Sequence, residues 1–160
     1  MASGAQRVVS IASGSAIIGA SALVAYDYFT MHPMRKFHGW TFEESAIRLG
    51  NEFARPSKIF TMQDLAAFDG KDGSPLYFSA NGLVFDASPS EMFREAYGGW
   101  AGKDATIALG KMSLAPEDAN RTDWDCLSED ERKTLADWMR YFQEKYRVKG
   151  SLHEFNSQRE

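Results

Sequence analysis

One cysteine, Cys126, occurs in the 160 residues, so neither an internal disulfide framework nor a cysteine-only metal site is available. Histidine is nearly as scarce. His32, His38 and His153 lie far apart, and no ligand set of zinc spacing can be assembled from them. Positive charge is also in deficit, with 18 Lys and Arg against 22 Asp and Glu, a net charge of -4 and a pI near 5.4. That balance excludes a nucleic-acid partner, which needs a concentrated basic face. The chain lacks a nucleophile elbow, a phosphate-binding glycine loop and a positioned acid pair. The acids of "LSEDERKTLADW" have the pattern of a solvated helix face, so no enzyme is expected.

What remains is rich in core-forming material. The chain is 44% hydrophobic and 13% aromatic, which suits one packed domain plus an appendage. The acidity is uneven: residues 1–58 carry six Lys and Arg against four Asp and Glu, whereas residues 59–160 carry twelve against eighteen.

The appendage is the N-terminus. From Val8 to Tyr26, "VVSIASGSAIIGASALVAY" runs nineteen residues without a charge. At about 1.5 Å per helical residue this spans a hydrocarbon core of roughly 30 Å. Residues 1–27 are therefore read as a single transmembrane anchor, with residues 8–26 in contact with membrane lipid. A cleaved signal peptide is the competing reading, but the run exceeds a usual h-region and only Arg7 precedes it. Ala12, Ala16 and Ala20 recur at spacing four, a face that admits a closely packed neighbour helix. Arg35 and Lys36 after the run, against Arg7 before it, place the bulk of the chain on the cytoplasmic or matrix-like side.

Residues 28–57 form a connector too apolar for a loose linker. Thr41 and Glu44 make a capping box, and Phe42, Ala46 and Leu49 follow at helical spacing until Gly50, so an amphipathic helix is expected. Its apolar side has two candidate resting places: a membrane or partner surface, or its own domain.

Residues 58–152 read as an α+β domain and residues 153–160 as a C-terminal tail. Thr61 and Asp64 open a short helix. "PLYFSANGLVFDAS" holds two strands, Leu76 to Ala80 and Leu83 to Asp86, joined by Asn81-Gly82, the strongest short hairpin signal. Ser88 and Ser90 start a helix with Met92 and Phe93. Asp104 is expected to cap the helix "ATIALGKM". A long closing helix starts at Ser128 and Glu131 and carries Leu135, Trp138, Met139, Phe142 and Tyr146 at spacings of three and four.

The segments "FTMQDLAAFDG", "PLYFSANGLVFDAS", "YGGWAGKDAT" and "LADWMRYFQEKYRVKGSL", in that order, resemble the membrane-associated progesterone receptor family, an anchored branch of the cytochrome b5-like heme/steroid-binding domains. The resemblance covers about residues 58 to 152. It rests on a strand-NG-strand unit ending in V-F-D, on Y-G-x-x-A-G-R/K-D-A, and on W-x-x-x-F-x-x-K-Y. The H-P-G-G segment of true cytochrome b5 is missing, which argues against two-histidine electron-transfer ligation.

The resemblance implies that Tyr97 is the axial ligand of a ferric heme, with Lys145 and Tyr146 contacting the same site from the long helix. A phenol with a pKa of about 10 ligates well only where Fe(III) and a nearby cation favour the phenolate, and Lys145 is the candidate cation. Gly98, Gly99 and Gly102 would let backbone approach the porphyrin. Heme-binding members carry a longer loop between the phenylalanine and the ligand tyrosine. Here only Arg94, Glu95 and Ala96 separate Phe93 from Tyr97, so "SEMFREAY" continues as one helix with Phe93 and Tyr97 on one face. Two outcomes stay open: Tyr97 reaches a ligand groove, or it follows Phe93 into the core.

Two functions follow. One is a single-pass membrane protein, of the endoplasmic reticulum or mitochondrial inner membrane, whose domain binds heme, sterol or another hydrophobic ligand. The other is a heme-free accessory subunit that uses the fold as a scaffold among protein partners in a membrane complex, with mitochondria the expected site.

Overall fold

The computed structural model describes Ala25, residues 42–53 and residues 58–158. Apart from Ala25, which is helical, the anchor expected over residues 8–26 lies outside the described residues, as does Thr41 of the expected capping box. No helix among the described residues is long and apolar enough to cross a membrane.

Four strands make one sheet in the order β1-β4-β3-β2: β1 (Lys58–Phe60), β2 (Tyr77–Ala80), β3 (Leu83–Asp86) and β4 (Arg147–Leu152). β1 runs parallel to β4, and the other two pairings are antiparallel. The hairpin forms where "NG" places it. Ala80 pairs with Leu83 across a two-residue loop in which Asn81 and Gly82 both take positive φ, 47° and 81°. Gly82 is required for a second reason, because a Cβ there would lie 2.6 Å from a ring carbon of Phe155. β1 and β4 carry no comparable local signal. They meet through Gly150, where a side chain would collide with the Lys58 carbonyl at 2.0 Å.

The short helix α2 (Met62–Leu65) has the expected capping box, Thr61 with Asp64. Next come α3 (Glu91–Tyr97) and α4 (Thr106–Gly110). The long helix α5 (Glu129–Lys145) is capped by Ser128 and Glu131 and buries Leu135, Met139 and Phe142 along one stripe. Residues 153–157, placed outside the domain in the sequence reading, form α6 (His153–Ser157), and Phe155 on it is buried with its ring centroid 4.7 Å from that of Trp124.

The connector helix is α1 (Phe42–Phe53), three residues longer than the stop expected at Gly50. It packs on its own domain, against α5 and β4. Asn51 makes the attachment. Its Nδ2 donates to the carbonyls of Gln143 (2.8 Å) and Tyr146 (2.7 Å), and its Oδ1 accepts from the Val148 amide at 2.8 Å. One side chain thus satisfies carbonyls left open where α5 ends and an amide where β4 begins.

Asp104 does more than cap. α4 begins after Ala105, whose side chain makes no cap, while Asp104 Oδ1 accepts from the Thr106 amide at 3.1 Å and from Trp124 Nε1 at 3.2 Å. Its Oδ2 accepts from Ser79 Oγ and from Thr106 Oγ1. With only 1% exposure, this carboxyl ties β2, α4 and the Trp124 turn together. Burial pushes its pKa above the ordinary carboxylate value, against the opposing effect of hydrogen bonds from Ser79, Trp124 and Thr106.

Asp104→Ala strands four donors in the core and is expected to cost about 3 kcal/mol of stability, read from urea unfolding. A raised folded-state pKa means that the native chain holds the proton more tightly, so this group's contribution declines as pH rises through the interval above the unfolded value. The stability of the wild type relative to Asp104→Asn should therefore fall as pH rises above about 4, the ordinary carboxylate value. A difference independent of pH contradicts this account.

Candidate functional site

A groove lies between α3 and the C-terminal half of α5. Ser90 caps α3, its Oγ accepting from the Phe93 amide at 3.1 Å. With the helix started there, Phe93 and Tyr97 fall on one face at spacing four, their rings 5.7 Å apart. Phe93 is fully buried, whereas Tyr97 is only half-buried. The difference comes from the 3₁₀ turn Gly98–Trp100, which brings the Trp100 indole under Tyr97 in a near-parallel stack at 4.9 Å and 15°. Trp138 meets Tyr97 edge-on at 6.3 Å from the opposite wall. Tyr97 therefore lines the groove and is not sealed behind Phe93.

Two compartments make up this groove. The first has a volume of about 350 Å³ and is walled mainly by Tyr97, Trp138, Phe142, Tyr146, Met92 and Tyr141. Met92 and Tyr141 are 50% and 38% exposed, so apolar surface continues out to the rim. The second compartment, about 610 Å³, opens between α1, α3 and the junction of α5 with β4, and includes Ile47, Lys145 and Arg147. Met92, Tyr141 and Tyr146 belong to both.

Tyr146 is the partition. It is 3% exposed, caps the end of α5, and donates its hydroxyl hydrogen to Ser90 Oγ at 3.3 Å. Burial raises its pKa, partly offset by that bond, so it stays a neutral phenol. Of the three residues singled out from sequence, Tyr146 meets each of the others, but Tyr97 and Lys145 line different compartments. Among the glycines expected at the ligand, Gly102 is placed elsewhere. Gly102, at φ 71°, is buried against Ala66 and Leu65 of the α2 region and donates to the Tyr77 carbonyl at 2.7 Å, so it builds the core. Gly98 and Gly99 have open space where a Cβ would stand.

Sequence reasoning missed Ile47, Ser90 and Tyr141 as groove residues and treated Trp138 as ordinary core. A signal was present in Trp138 and Tyr141, two aromatics at spacing three on a helix whose buried stripe is carried by Leu135, Met139 and Phe142.

Such a groove on a small mixed sheet defines a class, the cytochrome b5-like domain. A hypothetical Arabidopsis thaliana protein with a cytochrome b5 like fold superposes with a TM-score of 0.55 at 37% identity, covering 62% of this chain and 94% of that one. Probable steroid-binding protein 3 of Arabidopsis thaliana is 41% identical over 97 residues, 58% of this chain and 96% of that protein. Membrane-associated progesterone receptor component 2 of Homo sapiens is 31% identical over 99 residues, which cover 58% of this chain but only 44% of that protein. The chain belongs to the membrane-associated progesterone receptor family of steroid-binding proteins. No protein-family profile matches it.

Because Asn51 holds α1, and α1 supplies Ile47 to the groove, Asn51→Ala is expected to loosen one wall. The loss should be about 2 kcal/mol, with faster hydrogen exchange at the Val148 amide while the Ala80 to Leu83 hairpin stays protected. Unchanged exchange at Val148 would show that α1 docks without the clamp.

Proposed function

We propose that this chain is a membrane-anchored member of its family whose domain holds a flat hydrophobic ligand, a sterol or heme, in the groove between α3 and α5, with residues 8–26 in the bilayer. The observation that carries this reading is the half-buried Tyr97 opening on a compartment walled by Trp138, Tyr141, Phe142 and Tyr146. The name of the plant relative, a probable steroid-binding protein, supports it.

Magnitudes assign the roles. A flat ligand that hides about 200 Å² of apolar surface gains about 5 kcal/mol, whereas one hydrogen bond adds about 1 kcal/mol. Aromatic contact thus governs affinity, and the Tyr97 hydroxyl governs orientation. The donor chemistry also suits ferric heme. Tyr97 offers a phenol oxygen on the apolar wall, while Tyr146 keeps its hydroxyl on Ser90. Tyr97 would hold the iron, and phenolate ligation favours the ferric state over rapid electron transfer. Membrane attachment and protein partners belong to the same proposal, motivated by the apolar run at residues 8–26 and its small-residue face.

The test uses the full chain in phosphatidylcholine nanodiscs, titrated with hemin and, separately, with progesterone followed by tryptophan fluorescence. Saturable binding of at least one is expected, with Trp138→Ala weakening it about tenfold. Tyr97→Phe should abolish ferric tyrosinate bands if hemin binds. Failure of both ligands to saturate refutes the reading.

A further inference from the structure

The compartment on the far side of Tyr146 differs in chemistry from the first. Among the described residues, three cationic side chains reach it, Lys145, Arg147 and Lys149, against two acids, Asp86 and Glu91. Asp86 is engaged by Lys149 at 3.2 Å. Arg147 is exposed and makes no ion pair among the described residues. Residues 59–160 carry twelve Lys and Arg against eighteen Asp and Glu, so a cavity with more cations than acids runs against the charge of its own domain. Glu91 stands in the first turn of α3, where the helix N-terminus favours a carboxylate. Alongside these charges the cavity has apolar walls from Ile47, Met92 and Tyr141.

We propose that the groove takes a flat hydrophobe that ends in an anionic group, a carboxylate or sulfate, with its ring body against Tyr97 and Trp138 and its anion at Arg147, Lys145 beside it. This rests on the reading of the groove given above, since the ring body needs the first compartment. One molecule can occupy both compartments because they share Met92, Tyr141 and Tyr146. Tyr146 stays neutral on Ser90, so the partition presents no negative charge to the ligand. A guanidinium offers a carboxylate or sulfate two parallel N–H···O bonds, whereas a neutral hydrophobe leaves Arg147 merely hydrated. α1 contributes by closing the second compartment with Ile47, held in place through the Asn51 clamp. The sites singled out from sequence, Tyr97, Lys145 and Tyr146, contain neither Arg147 nor Ile47, and the anionic end of the ligand is where these two act.

The experiment compares pregnenolone with pregnenolone sulfate, which share one ring body and differ in the charged group, by competition against a tritiated steroid on the full chain in phosphatidylcholine nanodiscs. The sulfate is expected to bind about tenfold more tightly, with the preference shrinking in about 0.5 M salt. Arg147→Ala should erase the preference and leave pregnenolone affinity within about twofold; Arg147→Lys should restore part of it. Because Arg147 is exposed, its replacement leaves the core untouched. Equal binding of the two steroids by the wild type, or a preference that survives Arg147→Ala, overturns the proposal while pregnenolone binding keeps the groove reading intact. If neither steroid binds and hemin also fails, both readings fall together.

Discussion

The Phe78 ring, fully buried at the centre of β2, sets the geometry on which the groove depends. It stacks on Phe93 of α3 at 4.5 Å, meets Phe142 of α5 edge-on at 5.0 Å, and touches Phe85 and Tyr146 at 5.4 Å and 5.9 Å. Both walls of the groove are therefore spaced by one side chain of the sheet. Core interiors are close-packed, so the separation of α3 from α5 is not free to drift. Tyr97, one turn beyond Phe93, inherits its position at the groove's edge from that contact.

A second consequence concerns polarity. α5 ends at Lys145, and Tyr146 folds back over Phe142 while its hydroxyl reaches Ser90 at the start of α3. That bond joins the two walls at one end and separates an aromatic compartment from a cationic one. The placement of Tyr97 and Lys145 on opposite sides of Tyr146 separates the cation from the phenol with which the sequence reading paired it. α1 completes the second compartment. Its attachment through Asn51 makes the connector part of the binding domain and not merely a tether.

Several elements were legible in the residues because their signals are local. The Asn81-Gly82 hairpin, the capping boxes at Thr61 with Asp64 and at Ser128 with Glu131, and the apolar stripe of α5 each need fewer than twenty consecutive residues to specify them. β1 and β4 were not legible. "KIF" is three residues long, "RVKGSL" mixes charge with glycine, and their pairing joins Lys58 to Gly150 across most of the domain. The run of α1 past Gly50 was hidden for the same reason, since Asn51 finds its partners on α5 and β4. Asp104 was legible as a polar group at a helix start, but its burial depends on Ser79 and Trp124, which come from other elements.

By itself the amino-acid sequence determined the α+β class, the family, and the sharing of one helical face by Phe93 and Tyr97, because propensity, capping and spacing act over a few residues. Only the tertiary structure decided that Phe93 is enclosed while Tyr97 opens on a groove. That outcome turns on the Trp100 stack beneath Tyr97 and the edge of Trp138 across from it. Trp138 comes from α5, some forty positions along the chain, and the packing of distant side chains is fixed by the volume they must jointly fill and not by local pattern.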